Sequence, residues 1–412
     1  MATVVLLGTL DTKATEYAFL KDRIAEANCD VVVINAGVLG DPDYPTDYSR
    51  ADVAAAAGVG LDDLVNAGDR GAAVEAMARG AAVIVQDLYR QGRLDGILGL
   101  GGSGGSSLIS YSMRLLPIGV PKLLVSTMAS GETRPYVGTA DIAMMYSVVD
   151  IAGINEISAR ILGNAAAGIA GMAKAHEAYV PADTGKPLVG ATMFGVTTPS
   201  VTVAREWLED HGYEVLVFHA TGTGGQSMEA LMESGYITAS LDITTTELVD
   251  ELVGGVLSAG PDRLEMAGRL GIPQVVSLGA LDMGNFGPIN TVPDEYKDRN
   301  LYVHNPTVTL MRTTPEECAR LGRTIAAKLN QAKGPLTVFI PLKGVSAIAT
   351  EGGVFYDPEA DEALITELEA HLDPSVEVIE MDTDVNDPEF ATAMAQRLDE
   401  HYRAWAASRP QA

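Results

Sequence analysis

The sequence predicts an α/β protein built from two Rossmann-like, doubly wound parallel-sheet domains related by duplication, over residues 1–182 and 188–408. Three observations carry this prediction. Short continuous runs of Val, Ile and Leu alternate with amphipathic stretches, the pattern of strands buried on both faces and joined by helices. Two strand–glycine–hydroxyl–helix units of nearly one design recur, at residues 98–107 and 220–227. In each half the first strand runs into glycine and threonine, Gly8-Thr9-Leu10-Asp11-Thr12 and Gly195-Val196-Thr197-Thr198-Pro199.

In order along the first half, residues 4–7 are an apolar run and read as a strand. Residues 14–27 carry helical spacing through Tyr17, Leu20 and Ile24, and 31–34 form the next strand. The Pro- and Asp-rich segment 41–47 is a surface loop. A helix over 72–91, a strand over 96–100, a helix over 106–116 and a strand over 121–126 follow. Residues 128–136 are a loop, and 155–177 a long helix whose small residues suit close packing on a sheet. The turn-rich stretch 179–187 separates the domains. The second half predicts strands at 188–194, 214–218, 274–278, 336–340 and 376–381. Its helices fall at 199–211, 246–256, 315–332, 361–371 and 389–407. Asp242 is placed in a strand-to-helix turn, and Asp282 with Asn285 in a flexible polar loop.

Composition sets limits. With 412 residues, 47% hydrophobic and 20% charged, the chain has the balance of a folded globular protein of more than one domain. The formal charge of −27, from 55 acidic and 28 basic residues, argues against nucleic acid and anionic membranes as partners. Cys29 and Cys318 make no metal or redox spacing, which suits a cytoplasmic chain with buried thiols. No uncharged apolar stretch reaches the ~20 residues that span a bilayer.

A strand that empties into glycines ahead of a helix leaves backbone N–H groups facing open space, a natural receptor for phosphate. Gly101, Gly102, Ser103, Gly104, Gly105 and Ser106 are therefore expected to hold the phosphates of a nucleotide. Gly8, Thr9, Asp11, Thr12 and Lys13 would flank them, with Asp11 as a candidate Mg²⁺ ligand beside phosphate oxygens. Thr12 and Asp11 have an alternative role as helix caps. Ser130, Gly131 and Arg134 lie in a loop where Arg134 can clamp an anion, or simply pair with Glu132 on the surface. Thr197, Thr198, Thr221, Gly222, Gly224, Gly225 and His304 are the candidates for a second, small anionic metabolite. His219 and Asp282 are the candidate catalytic groups. No H-x-x-x-H or cysteine spacing supports zinc. Gly99–Gly104 matches G-x-G-x-x-G, but the acidic residue expected ~20 positions on is missing, which disfavours NAD. Gly163–Gly168 is followed by Ile169, not Lys, so no Walker loop is present.

The segments 8–13, 99–105, 128–131, 147–153, 193–199, 218–222, 274–277, 285–287 and 303–306 together resemble one group across essentially the whole chain. It is the ATP-binding domain family of the tomato mosaic virus resistance protein. The resemblance implies two Rossmann-like subdomains, ATP with Mg²⁺ as companion, and a homodimer. On this basis the chain is expected to be a cytoplasmic ATP-binding enzyme acting on a small anionic metabolite in an interdomain cleft. A non-catalytic ATP sensor is the alternative, and an NAD-dependent oxidoreductase the third reading.

Overall fold

In the computed structural model, which describes residues 1–180 and 185–408, the chain divides into two compact units, Met1–Ala182 and Asp183–Ala412. Residues 181–184, within the segment expected to separate the domains, lie outside the described residues. The first unit runs β1 (Thr3–Gly8), α1 (Leu10–Glu26), β2 (Asp30–Asn35), α2 (Arg50–Ala56), α3 (Leu61–Ala67) and α4 (Arg70–Arg90). It continues with β3 (Gly96–Gly101), α5 (Ser103–Arg114), β4 (Lys122–Ser126), α6 (Arg134–Val137), β5 (Ile142–Tyr146) and α7 (Glu156–Ala178). Its 5-stranded sheet is parallel, in the order β2-β1-β3-β4-β5.

Strand alternation divides the core between two faces. Val4 and Leu6 of β1 point to one face, where Tyr17, Leu20 and Ile24 of α1 meet Ala165, Ala166 and Ile169 of α7. Val5 and Leu7 point to the other, against Met77 and Val85 of α4 and Leu108 and Ile109 of α5. The small residues of α7 let it lie close on the sheet: a Cβ on Gly96 would stand 3.2 Å from Ile169 and 3.3 Å from Ala173. The helices that follow β1 and β3 thus leave to opposite faces. A crevice opens between them at the carboxyl ends, the place where doubly wound sheets receive ligands.

The second unit begins β6 (Leu188–Met193), α8 (Thr198–Asp210), β7 (Glu214–His219), α9 (Thr223–Glu233), β8 (Ile237–Thr244), α10 (Glu247–Val253), α11 (Met266–Leu270) and β9 (Gln274–Gly279). A hairpin-like insert follows: β10 (Met283–Phe286), β11 (Leu301–Asn305) and β12 (Val308–Arg312). The unit closes with α12 (Pro315–Leu329), β13 (Leu336–Pro341), α13 (Pro358–His371), β14 (Glu377–Met381) and α14 (Pro388–Ala407). Its 6-stranded parallel sheet has the order β14-β13-β9-β8-β6-β7. Counted by occurrence from the β7 edge, the order is second, first, third, fourth, fifth, sixth, and its first five places repeat the order of the first unit.

Two readings of the sequence need correction here. Asp242 is not in a turn but inside β8, a central strand whose polar residues are satisfied within it and from β6: Ser240 Oγ and Thr192 Oγ1 of β6 both donate to the Asp242 carboxylate, at 3.0 and 3.2 Å. Asp282–Gly287 is not a flexible loop. Asp282 is fully buried, and Met283–Phe286 forms β10, paired antiparallel with β12. Gly284 belongs there because a Cβ would stand 2.8 Å from Val253. Asn285 is paid for in hydrogen bonds from its Nδ2 to Asp250 Oδ2 (2.6 Å) and Thr246 Oγ1 (3.1 Å).

Candidate anion-binding site

The glycines after β3 fall into two kinds. Gly99 and Gly101 are required by packing: a Cβ on Gly99 would meet Ile109 at 2.5 Å, and one on Gly101 would meet the Gly105 backbone at 2.9 Å. Gly102, Gly104 and Gly105 have no such reason. A Cβ at Gly104 meets nothing within 4 Å, and at Gly102 and Gly105 the nearest atoms are at an ordinary 3.7 Å. Gly102 is the N-cap of α5 with no side-chain cap bond, and Ser106 N–H is the first amide there with a backbone acceptor, Gly102 O at 2.8 Å. The amides of Ser103, Gly104 and Gly105 have no acceptor among the described residues, and the N-terminal end of the helix dipole adds positive potential at that point.

Gly104 and Gly105 open into a cavity of about 400 Å³. Thr9, Asp11 and Thr12 from the start of α1 form one side of it, and Gly37, Val38 and Leu39 after β2 form another. Leu64 and Val65 of α3, Ala73 and Val74 of α4 and Leu108 of α5 supply an apolar wall. Arg70, exposed at the start of α4, is the cation of the lining. Asp69 precedes it and caps α4, accepting from Ala72 N–H at 3.1 Å. The sequence reading missed Arg70 and the apolar wall. Asp69 as a cap before the 72–91 helix was the available signal for Arg70.

The other expected phosphate neighbours have internal duties. Gly8 is a glycine because Tyr17 passes beside it: an added Cβ would lie 1.9 Å from the Tyr17 hydroxyl, which donates to Leu7 O at 2.6 Å and accepts from Leu100 N–H at 2.9 Å. Asp11 neither caps α1 nor stands free. Its Oδ2 accepts from Val38 N–H and Leu39 N–H, each at 3.0 Å, and so fixes the cavity wall. The first amide of α1, on Leu10, is taken instead by Asn35 Oδ1 at 3.2 Å. Thr9 is the N-cap without a side-chain bond, and Thr12 Oγ1 turns back to Thr9 O at 3.3 Å. Lys13 Nζ donates to Ile151 O and does not line the cavity. Ser106 is buried, bonded to Ser126 Oγ at 2.6 Å, and ties α5 to β4. Ser130, Gly131 and Arg134 are exposed and do not line the cavity. Glu132 accepts from the Arg134 backbone N–H at 2.9 Å.

In the second unit, the loop expected to receive another anion is filled from within. Gly222 N–H and Gly225 N–H both donate to Glu247 Oε1, at 2.7 and 3.1 Å. Glu247 is held by the buried guanidinium of Arg263, 2.7 Å from its Oε2. Arg263 also pairs with Glu229 at 3.2 Å and with Asp242. Burial alone would lower its pKa, but these carboxylates carry it well above the ordinary value, while burial raises that of Glu229. Gly224 is a packing glycine, its Cβ position 1.8 Å from His219 O. Thr221 Oγ1 donates to His219 O at 3.2 Å. After β6, Ser200 N–H reaches Asn386 Oδ1 at 3.4 Å, Thr197 is buried against Thr244 at 2.7 Å, and Thr198 Oγ1 bonds Phe194 O at 3.1 Å.

The candidate catalytic groups do not assemble. His219 is exposed at the end of an edge strand, its ring 5.3 Å from that of Phe194. His304 is exposed on β11, 6.5 Å from the Tyr302 ring. Asp282 is sealed beneath the surface, accepts from Ser346 Oγ at 2.7 Å, and is pushed up to about 6 by burial. Among the described residues no three His, Cys, Asp or Glu side chains gather for a metal ion, and no helix is long and apolar enough to cross a membrane.

Two family models match the chain. The N-terminal domain of the uncharacterised protein family UPF0261 covers residues 2–178, and the C-terminal domain of that family covers residues 186–402. A UPF0261 protein of Clostridium tetani is 54% identical over 96% of this chain and 98% of its own. The ToMV resistance protein Tm-1(GCR237) of Solanum lycopersicum is 41% identical over 95% of this chain, which spans 54% of that protein. Among solved structures, UDP-GlcNAc 2-epimerase from Neisseria meningitidis aligns over 99% of this chain and all of its own, with 9% identity and a TM-score of 0.24.

Proposed function

The chain belongs to the UPF0261 family, and from the geometry of its first unit we propose that it binds a nucleoside phosphate, ATP being the member of that class implied by the resemblance above. One observation carries the reading. Of the four glycine- and threonine-rich loops at the strand ends, the α5 loop alone combines first-turn amides without an internal acceptor, glycines without a packing reason, and an adjoining cavity. The phosphates would accept from the amides of Ser103, Gly104 and Gly105, with Arg70 balancing their charge. The base and ribose would lie on Val38, Leu39, Leu64, Val74 and Leu108. A cavity of about 400 Å³ falls in the size range of small-molecule sites.

Mg²⁺ would arrive with the phosphates, since Asp11 is largely committed to the Val38 and Leu39 amides and no protein cage surrounds it. The cavity lining contains no His, Lys, Glu or Cys side chain, and its two carboxylates are already engaged, Asp11 with the Val38 and Leu39 amides and Asp69 with the Ala72 amide. That favours a nucleotide sensor over an ATP-dependent enzyme, because acid–base work needs a titratable group at the reacting atoms. The homodimer and the cytoplasmic setting belong to the same proposal.

Calorimetric titration with ATP, GTP and NAD, followed by incubation with ATP, Mg²⁺ and a metabolite extract, tests the reading. We expect saturable heat with ATP, none with NAD, and no release of ADP or AMP. Release of either product would restore the enzyme reading; absence of heat with every nucleotide would remove the proposal.

A further inference from the structure

Helix α3 is attached to the first unit more weakly than any element around the cavity. None of its residues is buried. Among the described residues, no hydrogen bond or ion pair joins residues 61–67 to another element; the turn that starts the helix is closed by Leu64 N–H on Gly60 O at 3.3 Å. Its hold on the body is the partial packing of Leu61 and Leu64 against the core edge. It is bracketed by Gly58 at φ 75° and Gly68 at φ 65°, left-handed positions where no neighbour lies within 4 Å of an added Cβ. Gly58 closes α2, with Gly58 N–H on Ala55 O at 2.9 Å and Val59 N–H on Ala54 O at 3.1 Å, and Gly68 is the C-cap of α3. Both therefore serve the backbone and stand at the element ends where a hinge can absorb a change of φ and ψ. An element with few buried apolar contacts and no tertiary hydrogen bonds lies at the low end of local stability.

The face that α3 turns to the cavity is apolar. Leu64 and Val65 both line it, and Val65 remains 44% exposed, while Asp62, Asp63 and Asn66 face solvent. An exposed apolar side chain on the rim of a ligand cavity gains its contact only when the cavity is filled and the helix moves in. That differential contact is what lets a ligand shift a conformational equilibrium.

We propose that α3 is a ligand-gated flap. It swings inward on Gly58 and Gly68 when a nucleoside phosphate occupies the cavity, and Leu64 and Val65 close on the apolar face of the ligand. The flap rests on the nucleotide reading above and supplies its switch: bound and free states differ in the position and order of one surface helix, which a partner can sense.

The test is hydrogen exchange on the full chain with and without ATP, paired with calorimetry. ATP is expected to slow exchange of the 60–68 amides by at least about fivefold while α2 and α7 are unchanged. Val65→Ser is expected to weaken ATP by about threefold or more with an unaltered melting temperature, because Val65 contributes to the closed state only. If ATP binds with α3 exchange unchanged, or Val65→Ser binds as the parent does, the flap is overturned. A calorimetrically silent ATP titration is a different result, and overturns the site itself.

Discussion

Replacing Gly104 with valine separates a ligand-binding glycine from a structural one. The added Cβ meets nothing within 4 Å, so the fold has no steric objection. Within the first turn of a helix, valine and glycine are both poorer than alanine, by roughly 0.6 and 1 kcal/mol, so the stability change stays within about 0.5 kcal/mol. Gly104 lines the cavity, however, so the branched side chain would take up space that the phosphates need beside the amides of residues 103–105. Loss of one or two charge-assisted hydrogen bonds at about 1.5–3 kcal/mol each weakens the ligand by roughly ten- to a hundredfold or more. Gly8→Ala is the opposing control. Its Cβ would lie 1.9 Å from the Tyr17 hydroxyl, so Tyr17 must leave its bonds to Leu7 and Leu100, and overpacking alone costs about 1–3 kcal/mol. Thermal melting and ATP titration of both variants read the two effects. Gly104→Val should melt with the parent and lose ATP; Gly8→Ala should melt several degrees lower. If Gly104→Val folds and binds ATP unchanged, the α5 loop is a structural turn and the reasoning fails. Gly102→Val, whose nearest neighbour would be Thr127 Oγ1 at 3.7 Å, should behave as Gly104→Val does.

Three further outcomes follow from the same geometry. Asp11→Ala removes the carboxylate that holds the Val38 and Leu39 amides, and should weaken ATP and accelerate amide exchange at residues 36–39. Arg263→Met leaves three carboxylates without their shared cation, and should destabilise the second unit by about 3–5 kcal/mol in denaturant titrations, with ATP affinity per folded chain unchanged. Burial lifts the folded Asp250 carboxyl from 3.8 to about 7, so between those values the native state keeps a proton that the unfolded chain has released. Its contribution is complete below pH 3.8 and is lost as the pH rises to about 7. In denaturation of Asp250→Asn from pH 5 to 8, the change of stability with pH below pH 7 should be more positive than the parent's by up to about 1.4 kcal/mol per pH unit. Equal slopes would mean Asp250 is ionised in the fold.

The doubly wound architecture was legible because most parallel strands buried on both faces are spelled in continuous Val, Ile and Leu, as residues 4–7, 97–98 and 123–125 are. The polar strand β8 escaped because Asp242 and Thr244 are satisfied through Thr192, 50 and 52 residues away in sequence, which no local pattern reports. β10 escaped for the same reason: Asn285 reads as loop until Asp250 is placed beside it. At the candidate site, the sequence located the glycine turns but not which were open. Residues 99–105 and 222–225 are nearly alike in spelling, and only the long-range arrival of Glu247 closes the second while the first stays clear. Asp11, Lys13 and Ser106 likewise have the right chemistry for phosphate, yet each is claimed by a partner distant in the chain.

A crystal structure of the full chain grown with ATP and Mg²⁺ tests the central claim most directly. The account predicts phosphate oxygens within hydrogen-bond distance of the Ser103, Gly104 and Gly105 amides, with the base against Val38, Leu64 and Leu108. Nucleotide bound at residues 222–225 with Glu247 displaced, or an α5 loop left empty at saturating ATP, would contradict it.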